Sequence, residues 1–126
     1  MKHIIMSAAL LAALLAAIGA SPAVQAQSGG TEIGYERGSL GFEALMANDN
    51  QRALNQILAD KSTAPNDPAR LINLGRAHAR LGDKEKARQA FLAAANCKEE
   101  FDLVLSNGQI MNSRKVAALA LKSLGN

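Results

Sequence analysis

The stretch Leu74–Ala95, LGRAHARLGDKEKARQAFLAAA, decides the fold. Its apolar and small residues recur at helical spacing, and one Gly82-Asp83 pair interrupts them. That pattern predicts two helices joined by a minimal turn. The first begins at Asp67-Pro68: an Asp oxygen caps the free amides, and Pro at the first helical position needs no donor. It carries Leu71, Leu74, Ala77 and His78 on one side and ends at Gly82, a residue suited to a left-handed terminus. Asp83 caps the second, which runs to about Asn96 with Ala87, Ala90, Phe91 and Ala94 inward. Lys84, Lys86 and Arg88 form a solvated face. The small residues Gly75 and Ala87 imply two helices crossing at close range, and Phe91 fills the space beside them.

The pattern repeats. Shifting the chain by 34 residues places Leu40-Gly41 on Leu74-Gly75, Ala44 on His78, Asp49 on Asp83, Ala53 on Ala87 and Ile57 on Phe91. This spacing resembles the tetratricopeptide repeat (TPR) family. The copy at 68–100 is the clearer one, with His78 where the family has an aromatic and Glu99 where it often has Pro. In the copy at 34–67, Arg37 replaces the usual bulky first residue and Asp60 a small one, whereas Pro65 matches the closing Pro. The resemblance implies a mainly α fold, a short α-solenoid of two helical hairpins. Its structural signature here is Leu40, Gly41, Ala53, Leu74, Gly75, Gly82, Ala87 and Phe91.

Outward from the repeats the pattern changes. Apolar residues from Ile33 to Ala47 predict the first helix, Asn48-Asp49-Asn50 a turn and cap, and Ala53, Leu54, Ile57 and Leu58 the stripe of a second helix. Phe101–Leu105, FDLVL, is strand-like. Asn107-Gly108 predicts a type I′ hairpin that pairs Leu105 with Ile110 and Val104 with Met111. Ser113 is expected to cap a last helix reaching about Leu124. Arrays of this kind need about three units, because each helical hairpin leaves a face exposed. With two copies, the 101–126 segment is expected to close the open end by burying Phe101, Leu103, Val116 and Leu124.

The totals bound the rest. A basic start at Lys2, an uncharged apolar run from Ile4 to Ile18, and short residues at Val24-Gln25-Ala26 have the layout of a cleavable signal peptide, residues 1–26. The run is shorter than the roughly 20 residues of a membrane span. Residues 27–33 then form a flexible lead-in. Cleavage removes Lys2 and leaves 13 basic against 11 acidic side chains, too mild a balance for nucleic acid or a membrane surface. The expected location is periplasmic.

Candidates for chemistry are few. His78 is the sole histidine after cleavage and Cys97 the sole thiol. His78 is expected in the core, and Cys97 is either a small packed residue at a helix end or half of an intermolecular bridge. No metal-ligand spacing, phosphate loop or carboxylate pair stands out, so no catalytic residue, metal or cofactor is assigned.

What remains is surface. In the TPR family the first helix of each pair lines a concave groove that binds peptides or proteins. Carried over by register, the groove is lined by Tyr35, Phe42, Leu45 and Met46, then by Ile72, Asn73, Arg76 and Arg80. Arg76 and Arg80 stand four apart on one helix face, and two guanidiniums beside an amide suit a carboxylate. A plain solvated basic face is the alternative, and the apolar half could be covered by the lead-in. The expected function is a non-catalytic scaffold or adaptor that binds an acidic or C-terminal peptide. Other readings are a self-associating module, an accessory subunit of an envelope enzyme, and strand addition on the Gln109–Asn112 edge.

Overall fold

The computed structural model describes residues 34–125. The expected signal peptide at 1–26 and the lead-in at 27–33 lie outside the described residues. Five helices and one antiparallel hairpin follow in order: α1 (Phe42–Met46), α2 (Asn50–Ala59), α3 (Pro68–Arg80), α4 (Lys84–Ala95), β1 (Asp102–Val104), β2 (Ile110–Asn112) and α5 (Ser113–Leu124). Each helix packs on the next along the chain through α4, and α5 returns onto both α4 and α3.

Local chemistry accounts for the helix starts. Asp49, Asp67 and Asp83 each accept a hydrogen bond from the amide three residues on, those of Arg52, Arg70 and Lys86. Asn112, not the expected Ser113, caps α5 by accepting from the Arg114 amide. Ser113 is instead fully buried at the base of the hairpin, where its amide donates to the Phe101 carbonyl and its hydroxyl accepts from the Phe101 amide.

The 34-residue shift is visible in backbone geometry. Asn48 and Gly82 both take positive φ, 57° and 87°. The following Asp49 and Asp83 amides donate to Ala44 and His78, five residues back in each case, at 2.8 and 2.9 Å. Gly41 and Gly75 meet the second helix of their own copies: an added Cβ would strike Ala53 and Ile57 in one, Phe91 in the other. Asn tolerates the left-handed region better than most residues, so it substitutes for Gly at the first turn.

The copies differ in their first helix. The helix expected from 33 to 47 is reduced to Phe42–Met46, because residues 34–41 form turns with positive φ at Gly34, Gly38 and Gly41. Three ties fasten this segment along α3 in order. The Tyr35 hydroxyl donates to Asp67 at 2.9 Å, the buried Asn73 amide donates to the Leu40 carbonyl at 3.0 Å, and Arg80 donates to the Leu45 carbonyl at 2.8 Å. Hydrogen bonds to side chains of α3 and its cap thus hold the turns at 35–40 and the short helix that follows them.

The core has two parts, and α3 serves both. Ala77 joins Ala44, Leu45 and Ala53 on one side, and Ile72 joins Ala94, Val116 and Ala117 on the other. Leu103, Leu105 and Met111 of the hairpin pack on the second cluster. The α4 stripe Ala87, Ala90, Phe91 and Ala94 is buried as expected, whereas Leu58 of the α2 stripe stands exposed. On α3, Ile72 and Asn73 are more buried than Leu71, Leu74 or His78, because neighbours flank that helix on two sides.

The hairpin register is one residue off the expected one. Leu103 faces Met111 and Val104 faces Ile110. The loop has three residues, Ser106-Asn107-Gly108, with the Gly108 amide donating to the Leu105 carbonyl and the Leu105 amide to the Gln109 carbonyl, both at 2.8 Å. Gly108 alone takes positive φ, so the turn is type I with a glycine bulge in place of type I′. The shift turns Leu103, Leu105 and Met111 to the core and leaves Val104 and Ile110 outward.

Candidate functional site

Three adjoining cavities of about 560, 380 and 310 Å³ lie between α3 and the hairpin, and Arg76 and Leu105 line all of them. Together they form one cleft. Tyr35, Phe42, Ile72, Asn73 and Arg76 meet in the largest cavity, and Phe42, Leu45, Met46, Arg76 and Arg80 meet in the smallest. The residues assigned to the groove by register are thus gathered along one surface, although Tyr35 and Met46 stand toward opposite ends of it.

Their roles divide. Asn73 is 7% exposed, and its side-chain amide is engaged by Leu40. Arg80 is engaged by Leu45, at the end of α1. Tyr35 is engaged by Asp67, and burial followed by that hydrogen bond pushes its phenol above the usual range. These contacts hold the three side chains in the wall of the cleft; Asn73 is buried there, whereas Arg80 stays exposed and lines two of the cavities with the rest of its guanidinium. The acceptors of Asn73 and Arg80 are main-chain carbonyls, which side-chain patterns do not reveal.

Arg76 is different. It is half-buried between Asn73 and Arg80, and its guanidinium makes no hydrogen bond or ion pair among the described residues. Burial, then the neighbouring Arg80 charge, lowers its pKa. A guanidinium nonetheless stays protonated at neutral pH. Its five donors therefore sit in a partly dry cleft without an acceptor, which favours a carboxylate or another anion there.

The opposite wall was not expected from the sequence. Phe101 through Ser106, six consecutive residues, line the largest cavity, and no residue of β2 does so. Alternate residues of a strand point to opposite faces, so a wall made by all of them is the edge of β1. The alternation in FDLVL carried the signal for a strand, but only the packing of Leu103 and Leu105 turned that edge toward α3.

His78 and Cys97 do not form a dyad. The Cys97 sulfur lies against the Asn66 and Ala93 carbonyls at 3.1 and 3.2 Å, beside the start of α3. His78 is twelve residues further on, about 18 Å along the axis. Burial raises the Cys97 thiol above its ordinary pKa and lowers that of His78. Among the described residues no three His, Cys, Asp or Glu side chains converge to hold a metal ion, and no helix is long and apolar enough to cross a membrane.

Comparisons with protein-family models, curated proteins and solved structures find no match to this chain.

Proposed function

We propose that this chain is an exported, non-catalytic interaction module of the TPR type, acting in the periplasm as a scaffold or adaptor. Its cleft takes a peptide or protein segment that brings a carboxylate to Arg76. The observation that carries the reading is the half-buried guanidinium with no acceptor among the described residues. The recurrence of turn and close-contact geometry at a 34-residue spacing supports the family assignment. The signal-like start supports export.

The test is a cross-linked pull-down from the native envelope with the wild type beside Arg76→Glu. Arg76 makes no hydrogen bond or ion pair among the described residues, so its replacement removes neither the Asn73 nor the Arg80 tie directly, and a melt of the variant confirms that the fold is kept. A partner lost in the variant supports the reading; a partner captured equally well by both refutes it.

Self-association is the second reading, favoured by the exposed Val104 and Ile110 side by side on the outer face of the hairpin, 51% and 69% exposed. An equilibrium mass measurement with and without reductant separates the two. The raised thiol pKa and inward carbonyl contacts of Cys97 disfavour a bridge through it.

A further inference from the structure

The groove and the hairpin edge are one site. In the β1–β2 ladder, Ser113 donates to Phe101 and Leu105 donates to Gln109. Hydrogen-bonded pairs alternate with non-bonded ones in an antiparallel ladder. The bonded positions on β1 are therefore Phe101, Leu103 and Leu105, and the intervening Asp102↔Asn112 and Val104↔Ile110 pairs are non-bonded. The main-chain N–H and C=O of Asp102 and Val104 thus point away from β2. No partner for them occurs among the described residues. They border the largest cavity.

β1 and α3 run side by side in the same direction. Cys97, just before the hairpin, contacts Asn66 at the start of α3, and Leu105 lines the cavities beside Arg76 and Arg80. From Asp67 to Arg76 the helix rises about 13 Å, the length of about four residues of extended chain. The cleft is acidic at one end, through Asp67 and Asp102, and cationic at the other, through Arg76. Beyond Arg76 it continues as the other two cavities, so a bound chain has room to run on.

Resting on the interaction-module reading above, we propose that the occupant is an extended internal segment of a partner protein. It adds to the free edge of β1 as a third strand and sets an Asp or Glu side chain on Arg76. Main-chain hydrogen bonds to Asp102 and Val104 supply sequence-tolerant affinity, and the carboxylate sets the position along the cleft. Charge complementarity selects the occupant: the acidic end of the cleft disfavours a second carboxylate there, so the segment carries its acid at one end of the four-residue stretch only.

The test uses protein purified from cells expressing the full sequence. The probes are N-acetylated, C-amidated octapeptides of alternating Val and Thr, with one Glu placed at each position in turn and Gln counterparts of each. Affinity is read by fluorescence anisotropy, and amide hydrogen exchange at Asp102 and Val104 by NMR. The expected result is binding of at least one Glu probe, a slowing of both amides by about tenfold or more, and about tenfold weaker binding of its Gln counterpart. Val104→Pro removes an outward N–H that the hairpin does not use, so binding is lost; Ile110→Pro does the same on the far edge, and binding is kept. Backbone N-methylation of the probe at alternate residues gives the same loss without altering the protein.

Binding that leaves both edge amides unprotected overturns strand addition alone and leaves the groove reading standing. No binding by any probe overturns both. A further set of the Gln probes carries a free C-terminal carboxylate; tightest binding by one of these overturns the internal-carboxylate assignment. Edge amides already protected without peptide also overturn the proposal. Protection that grows with protein concentration then assigns the edge to a second copy, and protection lost when residues 27–33 are replaced by Gly and Ser assigns it to the chain's own lead-in.

Discussion

A Cβ placed on Gly75 would stand 2.5 Å from Cε1 of Phe91, whose ring is 2% exposed. Helix α3 therefore lies directly on the face of the Phe91 ring, and the missing methyl is what permits it. Gly75→Ala gains about 1 kcal/mol of helix propensity but overpacks a ring with no exit, at a cost of roughly 1–3 kcal/mol. Urea unfolding is expected to show net destabilisation, and the Gly75→Ala/Phe91→Leu pair is expected to recover part of the clash. Additive losses would show that the two residues do not share one contact.

Gly82 is the contrasting case. Its φ is 87°, yet a Cβ added there would meet nothing within 4 Å. Substitution there meets backbone strain without a clash. Gly82→Asn is expected to be tolerated better than Gly82→Ala, because Asn adopts the left-handed region more readily, as Asn48 does at the equivalent turn. Thermal melts of the two variants check the order.

Asn73 and Arg76, three residues apart on α3, should separate cleanly by mutation. Asn73→Ala leaves the Leu40 carbonyl without its buried donor, a loss of about 1–3 kcal/mol of stability. Arg76→Gln removes no hydrogen bond or ion pair among the described residues and is expected to shift stability within about 0.5 kcal/mol, while weakening capture of an acidic probe about tenfold. Chemical denaturation and anisotropy on the same two proteins read both effects.

Stability should fall with acid in two stages. Burial lowers the pKa of His78 in the folded protein, so the unfolded chain binds the proton first, and stability decreases as pH falls through about 6.5. Asp60 accepts from the Ser62 hydroxyl and from the Ser62 and Thr63 amides, and these bonds hold its carboxyl well below the usual range; it also pairs with Arg70 at 3.2 Å. Its contribution is present above the unfolded pKa of about 4 and is lost as pH drops below it. His78→Gln is expected to flatten the first stage and Asp60→Asn the second, measured as melting temperature against pH.

Ending the chain after Asn96 removes Val116, Ala117 and the hairpin from the cluster around Ile72 and Ala94. The exposed apolar face is expected to aggregate or to prevent cooperative folding. A soluble 27–96 fragment with a sharp melting transition would refute the closing role of α5.

The helix starts at Asp49, Asp67 and Asp83 and the α4 stripe through Phe91 were legible because each rests on a local relation within one or two turns of chain, and the need for Gly at 75 was legible through the 34-residue recurrence. Patterns failed where local signals competed with distant ones. The apolar spacing from 33 to 47 suggested a helix, but the glycines at 38 and 41 take positive φ and Asn73 and Arg80 hold the segment from outside. The Asn107-Gly108 pair suggested a two-residue turn, yet packing Leu103, Leu105 and Met111 on the Ile72 cluster requires the register one residue over.

The same division applies to the candidate site. Asn73, Arg76 and Arg80 were readable because helical register places their side chains on one face of α3, whereas Tyr35, carried over by the same register, stands in a turn outside any helix. Which of those side chains are engaged, and which wall faces them, was not. Main-chain carbonyls have no sequence signature, so the ties to Leu40 and Leu45 that occupy Asn73 and Arg80 and leave Arg76 alone emerge only in three dimensions. The edge of β1 likewise belongs to the cleft through the way Leu103 and Leu105 pack, a contact between elements some thirty residues apart. Sequence alone determined the helical periodicity and the Asp caps of α2, α3 and α4; the tertiary structure decided the register of the hairpin and the one guanidinium without a hydrogen bond or ion pair among the described cleft side chains, since both depend on contacts that no local pattern encodes.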